Sequence, residues 1–87
     1  MTSESKYTAE TSSKFRKDVK KAKKQGKDLS LLREVMELLA NDQELSAKHK
    51  DHALTGNWKG YRDCHITPDW LLIYQVIPIV IQESGLS

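Results

Sequence analysis

The apolar residues change their spacing once along the chain, and that change constrains the fold more than any other feature. Up to residue 39 they recur at helical intervals, and from Tyr61 onward they alternate. Phe15, Val19 and Ala22 fall at i, i+4 and i+7, a narrow apolar stripe on a segment otherwise covered by lysine. Leu32, Val35, Met36 and Leu39 repeat the pattern, and Leu31 and Leu38 broaden it. Thr11, Ser12 or Ser13 can cap a first helix running to about Gln25, and Asp28 or Ser30 a second running to about Ala40. Gly26 stands where a helix ends in the left-handed conformation, so the pair reads as an αα-hairpin. Its two stripes need an apolar surface to lie on.

The second half supplies that surface. Pro68-Asp69 makes a tight turn with proline in its favoured second position. With those residues as the turn, Thr67 faces Trp70, Ile66 faces Leu71, His65 faces Leu72 and Cys64 faces Ile73. This register turns Cys64, Ile66, Leu71 and Ile73 toward the helices. It leaves Tyr61, Asp63, His65 and Thr67 on the other face with Leu72 and Tyr74. Residues 6–9 predict a short first strand, because Tyr7 and Thr8 favour the pleat. Pro78 belongs at an edge, bulge or turn, which places a last strand around residues 79–82 and leaves 83–87 loose. The expected class is α+β in the order β-α-α-β-β-β, two N-terminal helices packed on a small twisted antiparallel sheet. Residues 1–87 form one domain, with 1–5 disordered.

Charge is distributed unevenly. Residues 1–27 hold nine Lys/Arg against three acids, and residues 28–87 hold five against nine. A basic first helix facing a polyanion or an acidic partner follows from this asymmetry, with a solvated lysine-rich surface as the plain alternative. The single cysteine, Cys64, allows no internal disulfide and reads as a small buried hydrophobe in a reducing compartment. No apolar run marks a signal peptide or spans a bilayer, so the expected setting is cytoplasmic, with no membrane partner.

Residues 50–74 gather both tryptophans, two of the three tyrosines and two of the three histidines. His65 projects from a strand, Asp69 from the turn that ends it, and His52 from the preceding segment. Imidazole gives and takes protons near neutrality. Cleavage of an RNA strand by its own 2′-hydroxyl needs a base, an acid for the leaving 5′-oxygen and cations for the phosphate; it needs no metal or other cofactor. Lys50, Lys59 and Arg62 are the available cations, and Trp58, Tyr61 and Trp70 can stack on unpaired bases. Each residue has a plainer reading, as solvated or core side chains. His49, His52, His65 and Cys64 also allow a zinc reading, but one H-x-x-H without a paired-cysteine motif is a weak signal.

The segments KDHALTGNWKGYRDCHI and PDWLLIY, with the helical KDLSLLREVMELLAN, resemble the YafQ branch of the RelE superfamily, toxins of bacterial type II toxin–antitoxin modules. The resemblance spans roughly residues 6–76. It implies a metal-independent, ribosome-dependent endoribonuclease that cuts mRNA codons in the A site. It also implies a cognate antitoxin as partner, with operator DNA reached only through that antitoxin. The family's catalytic histidine of the D-H-x-L motif falls on His52, the strand histidine on His65, and its P-D-W pair on Asp69 and Trp70. Arg62, Lys59 and Lys50 are then the expected phosphate contacts, and Trp70 positions a base.

The tail departs from the family pattern, which carries a Gly-[Ser/Thr]-His segment and a terminal Leu-Phe. Here VIPIVIQESGLS has Gly85 but no histidine after it. One imidazole contributes about 10²–10⁴-fold to such catalysis, so the departure predicts an attenuated toxin or a silent homologue that still binds its antitoxin or the ribosome.

Overall fold

A computed structural model describes residues 7–43 and 45–87. The expectations for residues 1–6 lie outside the described residues. The elements run β1 (Thr8–Thr11), α1 (Ser13–Lys24), α2 (Leu29–Ala40), a one-turn 3-10 helix (Ala47–His49), β2 (His52–Ala53), a second such turn (Gly56–Trp58), β3 (Arg62–Thr67), β4 (Trp70–Ile77) and β5 (Val80–Leu86).

Local chemistry fixes the helix ends. Ser12 caps α1, its Oγ accepting the Phe15 N–H at 3.0 Å, and Asp28 caps α2, accepting the Ser30 N–H at 2.9 Å. At the end of α1, Gly26 takes φ 77° while the Lys27 N–H bonds the Ala22 carbonyl and the Gly26 N–H that of Lys23. This is a Schellman closure, and it needs the left-handed residue that glycine supplies. Asp42 closes α2 in the same way at φ 55°. The lysines at 21, 23 and 24 sit at the negative end of the α1 dipole.

The five strands form one sheet in the order β1-β5-β4-β3-β2. The helices cover one face, where Phe15, Ala22, Leu32, Val35 and Leu39 meet Cys64, Ile66, Trp70, Leu72, Tyr74, Ile81 and Leu86. The α+β class and the helix pair agree with the sequence. The sheet is mixed, however, because β1 runs parallel to β5, from Thr8 beside Val80 to Thr11 beside Glu83. β1 enters the sheet beside the last strand, and the two helices and three strands between them in the chain supply the long connection that a parallel pair requires.

The β3–β4 register also differs. The turn falls at Pro68-Asp69 and Thr67 faces Trp70, but a bulge follows, so His65 pairs with Leu71, Cys64 with Leu72 and Arg62 with Tyr74. A one-residue slip moves every side chain of one strand to the other face. Trp70, Leu72 and Tyr74 therefore enter the core, and Leu71 and Ile73 are only half-buried.

The tail is not loose. β5 continues to Leu86, lies between β1 and β4, and pairs with β4 through a second bulge beside Ile73 and Tyr74. Leu71 and Ser87 extend the pairing by two backbone hydrogen bonds, each 2.9 Å. α1 packs on this strand, and Asp18 Oδ2 accepts the Leu86 N–H at 3.0 Å. Ladder bonds on both edges and a carboxylate anchor hold a segment whose sequence alone does not read as strand.

Candidate active site

On β3, alternation places Asp63 and His65 on the face away from Cys64 and the helices. His52 lies directly across from Asp63 in the β2–β3 ladder and so shares that face. Its Nδ1 donates to the Lys50 carbonyl oxygen at 2.8 Å. Asp63 Oδ1 lies 3.0 Å from the same nitrogen. The carbonyl takes the N–H, so this carboxylate oxygen is left without a hydrogen-bond partner among the described residues. The pair is ionic once the ring is protonated. Next along β3, about 7 Å further, His65 turns its Nδ1 to the Pro68 carbonyl oxygen at 3.2 Å.

A carbonyl can only accept, so Nδ1 carries the proton in both rings and Nε2 keeps its lone pair. Each Nε2 can take a proton from a hydroxyl, and the imidazolium so formed can return one. For His52 the Asp63 carboxylate stands beside the charge that forms. Asp63 is the functional candidate that reading by residue type missed; its place two residues before His65 on one strand was the available signal.

The other expected site residues are dispersed. Asp69 stands in the β3–β4 turn and accepts the Thr67 hydroxyl at 3.0 Å. It borders a recess of about 290 Å³ that Lys21, Gln25, Lys27 and Leu86 also line. Lys50 and Lys59 are exposed, Lys50 in the left-handed conformation at φ 46°.

Trp70 departs from expectation. The register slip buries it to 3% exposure under Lys27, whose Nζ lies 5.5 Å from the ring centroid, so its faces are closed to a base. Trp58 is the open aromatic, 50% exposed, with its ring edge-to-face against Tyr61 at 5.5 Å between centroids.

Arg62 also departs. It pairs with Tyr74 and shares its face, on the helix side of the sheet. Its Nε donates to the Tyr74 hydroxyl at 3.3 Å and to Asp51 at 3.4 Å, while the Tyr74 hydroxyl donates to Asp51 at 2.6 Å. The hydrogen bond that Arg62 donates to Tyr74 raises the guanidinium pKa, burial works against this, and Asp51 adds to the rise. Burial, reinforced by Asp51, pushes the Tyr74 hydroxyl well up. Asp51, Arg62 and Tyr74 thus bond to one another and line a recess of about 480 Å³ together with Leu39, Leu45 and Ile81.

Cys64 is fully buried, and burial pushes its thiol up to about 12, which removes it as a nucleophile. Among the described residues no group of three or more His, Cys, Asp or Glu is placed to hold a metal ion. No described helix is long and apolar enough to cross a membrane.

A two-helix layer on a five-stranded mixed sheet, with His52 and His65 on the face away from the helices, is the α+β architecture of small toxins of this type. The family model for YafQ, the bacterial toxin of a type II toxin–antitoxin system, matches residues 7–83, and the chain belongs to that family. It is 52% identical over 68 residues to the mRNA interferase toxin YafQ of Escherichia coli strain K12, covering 77% of this chain and 74% of the relative. The fold superposes on the toxin in the E. coli DinJ–YafQ toxin–antitoxin complex with a TM-score of 0.86 at 42% identity, covering 94% of this chain and 91% of that one. A metal-bound toxin from Helicobacter pylori gives 0.87 at 44% identity, covering 93% and 92%.

Proposed function

We propose that the protein is an endoribonuclease toxin that cleaves mRNA on the ribosome by metal-independent acid–base catalysis at His52 and His65. The observation that carries this reading is the shared tautomer: both rings are held through Nδ1 by carbonyl oxygens, on one face of one sheet. One Nε2 removes the 2′-hydroxyl proton and the resulting oxygen attacks phosphorus. The other imidazole, as imidazolium, gives its proton to the departing 5′-oxygen, leaving a 2′,3′-cyclic phosphate. Asp63 steadies the imidazolium at His52, and Asp69 orients the hairpin end through Thr67. Lys50 and Lys59 lie free in solvent to meet phosphate, and Trp58 takes the stacking role expected of Trp70.

The E. coli relative is named an mRNA interferase, and it forms a complex with DinJ. By the same relationship a cognate antitoxin is the regulatory partner here, and operator DNA is approached only with it. The exposed lysines of α1 give such a partner's acidic residues a complementary surface.

Induced expression tests the reading. Growth arrest that is relieved by a co-expressed antitoxin and lost in His65→Ala, with the variant folded, supports it; arrest unchanged in His65→Ala removes the site assignment. A second reading has its own observation: β5 brings Glu83 into the core and Leu86 under α1, and adds no imidazole to the catalytic face. An attenuated or silent toxin that binds its antitoxin gives no arrest but a stable complex.

A further inference from the structure

We propose that His49 is a positioning residue that sets the relation between His65 and His52. The inference rests on the reading that those two rings exchange protons with RNA. β2 is two residues long and pairs only with Arg62 and Asp63. Beyond Asp63 the outer edge of β3 has no strand beside it among the described residues, and the bulge between His65 and Thr67 disturbs the ladder on the β4 side. A carbonyl at such an edge needs a donor from elsewhere.

His49 supplies it. The 3-10 turn Ala47–His49 packs against β3, and the His49 ring, 9% exposed, donates from Nδ1 to the His65 carbonyl oxygen at 2.7 Å. The next residue, Lys50, reverses the chain in the left-handed conformation and presents its carbonyl oxygen to His52 Nδ1 at 2.8 Å. Two consecutive residues thus hold both candidate catalytic histidines, one through its main chain and the other through its ring. The His65 side chain is aimed from a backbone that His49 pins at the bulge.

Two substitutions test the proposal. His49→Phe keeps a buried ring and removes the donor, whereas His49→Asn places an amide N–H near the position of Nδ1. On programmed ribosomes His49→Phe is expected to lower the single-turnover cleavage rate about 10–100-fold, with the half-saturating concentration unchanged. His49→Asn is expected to recover most of that loss. A readout on the free protein separates this from the catalytic reading. Imidazole ¹⁵N spectra show His65 as the Nδ1–H tautomer in the wild type, and as a mixture in His49→Phe.

If His65→Ala cleaves normally, the catalytic reading fails while the spectral effect of His49→Phe can still stand. If His65→Ala is inactive but His49→Phe cleaves at the wild-type rate with an unchanged His65 spectrum, the positioning proposal is overturned. Should His49→Phe fail to fold, the wild type decides: a slowly exchanging His49 Nδ1–H resonance supports the bond, and its absence overturns it.

Discussion

Asp63 Oδ1 lies 3.0 Å from His52 Nδ1 across the β2–β3 ladder, while the N–H of that nitrogen goes to the Lys50 carbonyl. The carboxylate therefore meets the ring as a charge and not as an acceptor of its proton. It matters when Nε2 is protonated and little before. Asp63→Asn keeps the shape and removes the charge, so cleavage should fall about 10–100-fold with the melting temperature nearly unchanged. Single-turnover cleavage beside a thermal melt checks both halves. An Asp63→Asn variant as fast as wild type would remove Asp63 from the site.

The two tryptophans should respond in opposite ways. Trp70 fills the core between α1 and the sheet, so Trp70→Ala should cost about 3–5 kcal/mol of stability. Trp58 is half exposed, so Trp58→Ala should leave stability within about 1 kcal/mol while weakening binding of single-stranded RNA. Denaturant unfolding and RNA titration of both variants separate the roles.

Glu83 gives a pH signature. It is 1% exposed, neither carboxylate oxygen has a hydrogen-bond partner among the described residues, and burial pushes its pKa up to about 7. The folded chain therefore holds a proton that the unfolded chain releases at a lower pH. That contribution is fully present below the ordinary carboxylate range and is lost as pH rises through about 7. Stability should fall by about 2.5 kcal/mol between pH 5 and pH 8 from this group. Glu83→Gln should flatten the profile and exceed wild type at pH 8. Equal slopes in urea melts of the two proteins would refute the assignment.

Asp18 ties α1 to the end of β5. Burial alone would raise its pKa, but the hydrogen bonds from Lys14 and the Leu86 N–H, with the charges of Lys14 and Lys21, lower it overall. Asp18→Ala leaves the Leu86 N–H without its acceptor and should destabilise the protein by about 1–2 kcal/mol. Faster amide exchange at Leu86 in that variant is the local check.

The sequence made the helix layer readable because each end carries its own chemistry: Ser12, Asp28 and Gly26 act within a few residues of where they stand. The hairpin turn at Pro68-Asp69 was readable for the same reason. The register beyond it was not, since Trp70, Leu71, Leu72, Ile73 and Tyr74 are all apolar or aromatic, and either face could be buried. The bulge at Ile66 decides it, and a bulge leaves no mark in residue type. That slip also explains why Trp70 and Tyr74 had been expected on the open face. Glu83 hid the course of β5, because an acid in a buried position breaks the alternation that marks a strand. Of the candidate site, His52 and His65 are proposed from residue type and from the family resemblance. Asp63 and His49 emerge only from the ladder and the edge of β3.

Mapping mRNA 5′ ends in a purified translation system with a defined message tests whether His52 and His65 carry cleavage. New ends are expected within A-site codons, dependent on ribosomes and lost in both His52→Ala and His65→Ala. Cleavage that persists in both variants, or its absence with a folded wild-type protein, would contradict that role.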